Sequence, residues 1–263
     1  MTSERRSGAG WVRASSAIAS SGILKSTRTP ATIIQSLFFP TFFLIIYSGL
    51  FSALVRLDGF PTDRVENWYV PFMMLQGAAF AGVAAGFVVG AHIESGYFDR
   101  QLLYPVRRGA LLVGTMLIAL ARGLFVSLVV LLVGIALGAR STGGVLGILL
   151  LFLGCAGICI TSSGFSLGLI YRAKSLQVAP LFPIGIFITL FVSTAQVPIS
   201  ISTGWLQRAA RVNPITNVLR LGRQAFLDGG VSWANTWGGL VALAAMCAVL
   251  SWFAWTGLRK YVP

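Results

Sequence analysis

Few side chains in this sequence have the type and spacing to do covalent chemistry. The chain has 263 residues and a single histidine, His92. Thr161-Ser-Ser-Gly164 loosely resembles a serine-nucleophile motif, but such a serine needs a base within hydrogen-bond reach. His92 stands at the end of a different apolar run and reads as an interfacial surface residue. Cys155, Cys159 and Cys247 also lie inside apolar runs, with no CxxC spacing and no neighbouring His or carboxylate to complete a metal site. They read as small buried hydrophobes. Gly22-Ile-Leu-Lys-Ser-Thr27 approaches a phosphate-binding loop, yet it lacks the Gly directly before the Lys and follows no strand pattern. No catalytic residue and no metal site is expected, and no cofactor is expected to be bound by this chain.

What remains is chemistry of recognition. Residues Glu94-Ser-Gly-Tyr-Phe-Asp-Arg-Gln-Leu-Leu-Tyr-Pro-Val-Arg-Arg108 lie between two apolar runs long enough to cross a bilayer, so they belong in water or at an interface. Ser95 is placed to cap a helix N-terminus, and Asp99 falls early enough to suit its positive end. Pro105 stops the helix near Tyr104. Phe98 and Leu102 share one side at i and i+4, with Tyr97, Gln101 and Tyr104 on an adjoining stripe. Such a knob fits a groove on another protein, and the same pattern also fits an ordinary membrane-surface helix.

The flanking elements follow from composition. Hydrophobic residues make up 56% of the chain and charged residues 10%, against roughly 25% charged in soluble proteins. The fold class is an all-α polytopic membrane protein. Six apolar runs of spanning length lie near residues 31–55, 69–91, 110–137, 145–170, 177–199 and 235–257. The formal charge of +13 is dispersed between these runs rather than gathered into a stripe, which argues against nucleic acid as a partner. With the amino terminus inside, the cytoplasmic side carries 12 Lys and Arg and the outer side 7. Both termini and residues 94–108 are therefore expected in the cytoplasm.

Residues 1–30 carry five basic residues and no signal-peptide core. Trp11, Ile18, Ile23 and Leu24 could form one face of an interfacial helix. Pro40 interrupts the first run, and Pro180, Pro183 and Pro198 punctuate the fifth. Gly82, Gly86 and Gly90 repeat every four residues, a spacing for close helix packing or for a moving seam.

The connection 200–234 holds two amphipathic pieces too short to cross. In the first, Trp205, Leu206, Ala209 and Ala210 oppose Gln207, Arg208 and Arg211. The second opens with Asn213 as N-cap and Pro214 at the first helical position, and stops at Gly229-Gly230. Its Ile215, Leu219, Gly222 and Phe226 share one side, with Arg220, Arg223 and Gln224 on another. Both pieces are expected to dip into the outer leaflet, their arginines snorkelling to the phosphates of membrane lipids.

Arg122 is the one ionisable residue deep inside a run, roughly 20 Å along the helix from Gly109. It reads equally as a buried charge held by carbonyls or as part of a substrate path. The runs contain no Asp or Glu, which weighs against a proton- or sodium-driven carrier.

Three segments together resemble the type-2 ABC exporter permeases, in particular the daunorubicin-resistance-like group. They are Arg28-Thr-Pro30 with Ser36-Leu-Phe-Phe-Pro40; Glu94 to Arg108 with its continuation to Gly123; and Asn213-Pro-Ile-Thr-Asn-Val-Leu-Arg220 to Gly229-Gly230. Tyr97 stands where many relatives have Thr, and Asn217 and Leu221 where aromatic or acidic residues are common. The resemblance implies a six-helix permease working as a homodimer, or paired with a paralogous permease, over two cytoplasmic ABC ATPase subunits. ATP and Mg would be bound by those partners. It makes residues 94–108 a coupling helix, with Glu94, Gly96, Tyr97, Phe98, Asp99, Arg100, Leu102, Leu103 and Pro105 meeting the ATPase. Asn213, Pro214, Arg220 and Arg223 would form an outer re-entrant segment.

The expected function is export of a hydrophobic drug, antibiotic or lipid across a bacterial cell membrane. The rivals are export of a lipid-linked glycan and a non-transporting assembly or sensor protein. One permease domain is expected over 1–263, with an interfacial segment 1–30, a membrane domain 31–257 and a cytoplasmic tail 258–263.

Overall fold

Four of the apolar runs fold into helices of 29 or 30 residues, each apolar enough to cross a membrane. At 1.5 Å per residue each is about 45 Å long, more than the hydrocarbon core requires. The computed structural model describes residues 30–56, 60–103, 108–199, 201 and 203–261. The expected interfacial face of Trp11, Ile18, Ile23 and Leu24 lies outside the described residues, as do Tyr104 and Pro105.

In chain order the helices are α1 (Pro30–Leu50), α2 (Val65–Glu94), α3 (Tyr97–Leu102), α4 (Arg108–Ala136), α5 (Gly144–Ala173), α6 (Leu181–Phe191), α7 (Gly204–Val212), α8 (Pro214–Arg223) and α9 (Trp233–Tyr261). Single 3-10 turns occupy Ser52–Arg56 and Leu176–Val178. No strand occurs among the described residues, whose regular structure is all helical, as befits a multi-pass membrane protein.

Helix α2 is the axis of the fold, with α1, α4, α5 and α6 packed round it, while α9 covers the far side of α5. Small residues make the close approaches. A Cβ on Gly86 would sit 2.6 Å from the Cβ of Ser166, and one on Gly82 would run into the backbone at Cys159. Gly90 abuts Ile170 and Leu176. All three glycines thus lie in the packing seam with α5 and the turn after it. Without a hydrophobic drive between helices in lipid, such backbone proximity supplies the dispersion energy that holds them.

The run expected over 177–199 differs most from its helix. Only Leu181–Phe191 is α-helical, and turns continue to residue 199. Prolines explain it: Pro180 precedes the first helical residue, Pro183 fits the first turn where no N–H is needed, and Pro198 lies in the trailing turns. In α1, by contrast, the helix runs through Pro40, whose ring packs against α2 at Gly77.

Candidate functional site

Two clusters of polar and aromatic side chains occupy opposite ends of the helices. At one end, α2 closes at Ser95 and the chain turns through Gly96, whose φ of 69° is left-handed and favours glycine. Ser95 was expected to cap α3. Instead its Oγ donates to the His92 carbonyl, 3.2 Å away, at the end of α2, and Gly96 takes the N-cap position. The sharp turn explains this, since it points Ser95 back along the helix it ends.

Helix α3 is clasped by α5 and α9, and the end of α2 just before it is braced as well. Phe98, 2% exposed, packs on Tyr171 of α5 at 5.7 Å between ring centroids and on Tyr261 of α9 at 5.3 Å. The Tyr261 hydroxyl donates to Asp99 Oδ1 at 3.0 Å. Glu94 Oε1 accepts from the backbone N–H of Leu176 at 2.8 Å, bracing the turn after α5. Glu94, Phe98 and Asp99 thus face partners within the chain. Tyr97, Arg100 and Leu103 face outward, Leu103 being 86% exposed, and Leu102 is half-buried. The sequence put Phe98 and Leu102 on one side. The structure seats Phe98 against the chain's own helices, because tyrosines at the ends of α5 and α9 offer it an aromatic socket.

The other end is built round Asn213. Its Oδ1 accepts from Ile215 N at 2.9 Å, the expected N-cap with Pro214 at the first helical position. Its amide also donates to the carbonyls of Thr189 at 2.7 Å and Val192 at 2.9 Å, so one side chain starts α8 and finishes α6. Arg220 is exposed on α8.

Arg223 corrects the expectation of snorkelling. It is 4% exposed, with its guanidinium 3.3 Å above the Trp68 ring. It donates to the Ala195 carbonyl at 2.9 Å and, at 3.4 Å, to the Trp68 carbonyl and the Thr194 hydroxyl. Burial pushes its pKa down to about 9, which leaves it charged at neutral pH; the nearby Tyr69 acts in the opposite sense. Helix α8 ends at Arg223, and Gln224 turns inward too. The Gln224 amide donates to Thr236 Oγ1 at 3.1 Å and accepts from Ser232 N at 2.8 Å, holding the turn into α9. The helix stops short of Gly229-Gly230, and Phe226 lies buried in the turn that follows it. The Ala225 carbonyl accepts from Ser141 Oγ, Thr142 N and Gly143 N, tying this cap to the start of α5.

Between the two ends runs an aromatic layer. Phe39 of α1 meets Phe80 of α2 at 6.2 Å, Phe80 meets Phe187 of α6 at 5.2 Å, and Phe72 meets Phe191 at 5.8 Å. Gln76 lies midway between Phe72 and Phe80 on the same helical line. It is fully buried, and neither its Oε1 nor its Nε2 has a hydrogen-bond partner among the described residues. Sequence reasoning passed over Gln76. The signal was one amide in an otherwise apolar span. Trp68 and Tyr261 were missed for want of any local signal.

Arg122 is half-buried in mid α4. Ser163 Oγ donates to the carbonyl of Cys159 one turn back at 2.8 Å. Gly82 of α2 packs at Ser163, and His92 lies ten residues further on, about 15 Å along the helix. Ser163 and His92 are therefore too far apart to act as nucleophile and base. Cys155 and Cys159 are buried free thiols, as their apolar setting implied, and Cys247 is a half-buried one.

The family model described as "ABC-2 type transporter" matches residues 14–227, and the chain belongs to that family. It is 24% identical over 238 residues to the daunorubicin resistance ABC transporter permease protein DrrB1 of Streptomyces coeruleorubidus, covering 88% of this chain and 80% of that protein. It is also 28% identical over 214 residues to the putative transport permease ycf38 of Cyanophora paradoxa, covering 78% of this chain and 71% of the relative. The chain is thus a membrane permease of the ABC-2 transporter type.

Proposed function

We propose that this chain is the membrane subunit of an ATP-driven exporter for a hydrophobic drug, antibiotic or lipid, with hydrolysis carried out by a separate cytoplasmic ABC ATPase. The observation that carries the reading is α3. It is short, presents Tyr97, Arg100 and Leu103 outward, and is bolted by Phe98 and Asp99 to α5 and α9, while Glu94, the last residue of α2 just before it, is tied to the turn after α5. A push on its exposed face would reach three parts of the membrane domain at once, because packed interfaces transmit rigid-body motion. ATP and Mg would belong to the partner.

In this reading α1, about 32 Å long, and the stretch 176–199 complete six spans in a single permease domain. Both termini and α3 would face the cytoplasm of a bacterial cell, a topology that the distribution of Lys and Arg supports. A second permease, identical or paralogous, closes the path against the first. The aromatic layer between α1, α2 and α6 suits a hydrophobic cargo, and the buried Gln76 amide offers it one hydrogen-bonding point. The daunorubicin resistance named in one relative is consistent with such a cargo.

The test is reconstitution with the ATPase subunit that co-purifies from the native membrane. Leu103→Glu together with Arg100→Glu should abolish cargo-stimulated ATP turnover while leaving insertion and thermal midpoint unchanged. Undiminished stimulation, or purification without any ATPase, would remove the docking role and favour a non-transporting assembly protein.

A further inference from the structure

At the end of the fold opposite α3 lies a cavity of about 290 Å3. Arg220 and Arg223, one turn apart on α8, line it with Trp68, Thr194, Asp228 and Asn235. We propose that this cavity is a binding site for a phosphate-type anion, whether the head group of an amphiphile or a free oxyanion.

Charge is the first reason. The partners of Arg223 are two carbonyls, one hydroxyl and the Trp68 ring, none of which carries a charge. A buried cation held only by dipoles leaves most of its desolvation cost uncompensated, and an anion beside it would gain charge-assisted hydrogen bonds. Among the described lining residues Asp228 is the single carboxylate, against two guanidinium groups.

Preorganisation is the second. Nε, Nη1 and Nη2 of Arg223 are each tied, and the indole fixes the guanidinium plane. A ligand therefore has little side-chain freedom to freeze at that residue. Arg220, exposed and flexible, can close over the anion from the rim.

Size decides the ligand class. The volume lies at the lower edge of the roughly 300–1,000 Å3 of drug-sized pockets, so it admits a head group rather than a whole hydrophobic molecule. The lining also comes from the start of α2, the turns after α6, α8 and the start of α9, so an occupant would pin the cap that closes this end of the helices. The site rests on this geometry alone and needs no ATPase.

The full chain in maltoside micelles is titrated with dihexanoyl phosphatidylglycerol, dihexanoyl phosphatidylcholine and inorganic phosphate, reading the thermal midpoint. A saturable upward shift is expected with phosphatidylglycerol, and Arg220→Glu should weaken its apparent affinity at least about tenfold. Arg211→Glu, on α7 away from the cavity, should leave it unchanged. Arg220 is exposed, so its variant should fold even if Arg223→Ala does not. An equal response to inorganic phosphate identifies a free-anion site, and a response to the anionic lipid alone identifies an amphiphile site. The proposal is overturned by no saturable shift with either anionic probe, by equal shifts with phosphatidylcholine, or by a response that Arg220→Glu leaves intact.

Discussion

Replacing Phe98 by alanine should free α3 from the membrane domain without unfolding it. The ring is 2% exposed, with Tyr171 and Tyr261 centroids 5.7 and 5.3 Å away. Truncating a phenylalanine in such a socket costs about 3–5 kcal/mol. Left on α3 are the half-buried Leu102, the edge-on contact of Tyr97 with His92, and the bond from Tyr261 to Asp99, whose acceptor is solvent-exposed. A bond of that kind contributes about 0.5–1.5 kcal/mol, too little to hold six residues against the entropy of release. At about 1.4 kcal/mol per tenfold, local opening should rise at least about 100-fold. The cost falls on α3 because α2 and α5 pack through Gly82 and Gly86, far from this ring. Hydrogen exchange read by mass spectrometry should therefore accelerate over residues 97–103 and stay unchanged over 69–83. In the reconstituted complex, cargo should no longer stimulate ATP turnover although Tyr97, Arg100 and Leu103 are intact. Unchanged protection of 97–103 would refute the clasp. Protection lost equally through α2 would refute its local character.

Asn213→Ala removes a cap and two donors joining α6 to α8, and should lower stability by about 1–3 kcal/mol as a fall in thermal midpoint. Asn213→Asp keeps the cap and should fall between alanine and the parent. Gly164→Leu would set a Cβ 2.6 Å from the Leu250 carbonyl and force α5 off α9, which should show as poor yield and ready proteolysis; Gly49→Leu, with open space around it, is the matched control and should behave as the parent. Gln76→Leu replaces an unpartnered buried amide by an apolar side chain of similar size. It should raise the thermal midpoint or leave it unchanged, while transport of a hydroxyl- or carbonyl-bearing cargo falls. Transport at the parent rate would remove Gln76 from the path.

The long helices were legible in the sequence because hydrophobic run length is a local property that lipid reads directly. The boundaries of α2, α4, α5 and α9 fall within a few residues of the runs that announced them. Asn213-Pro214 was legible for a similar reason, since a cap is decided by three consecutive residues. The glycine spacing along α2 likewise foretold a close neighbour, though not that α5 would be the one.

What the sequence could not decide was which side of a short amphipathic helix turns inward. In α3 the apolar side carrying Phe98 could have met a partner protein, and only Tyr171 and Tyr261, distant in the chain, settle it within the molecule. In α8 the polar side carrying Arg223 and Gln224 could have met lipid phosphates, yet both residues turn inward to the α6–α8–α9 cap. Local pattern names a side as apolar or charged, while the environment that receives it is assembled from residues tens to hundreds of positions away. Composition and periodicity therefore determine that this chain crosses the membrane many times, and tertiary packing alone determines which of its few polar groups face each other, the solvent, or the cavity beside Arg223.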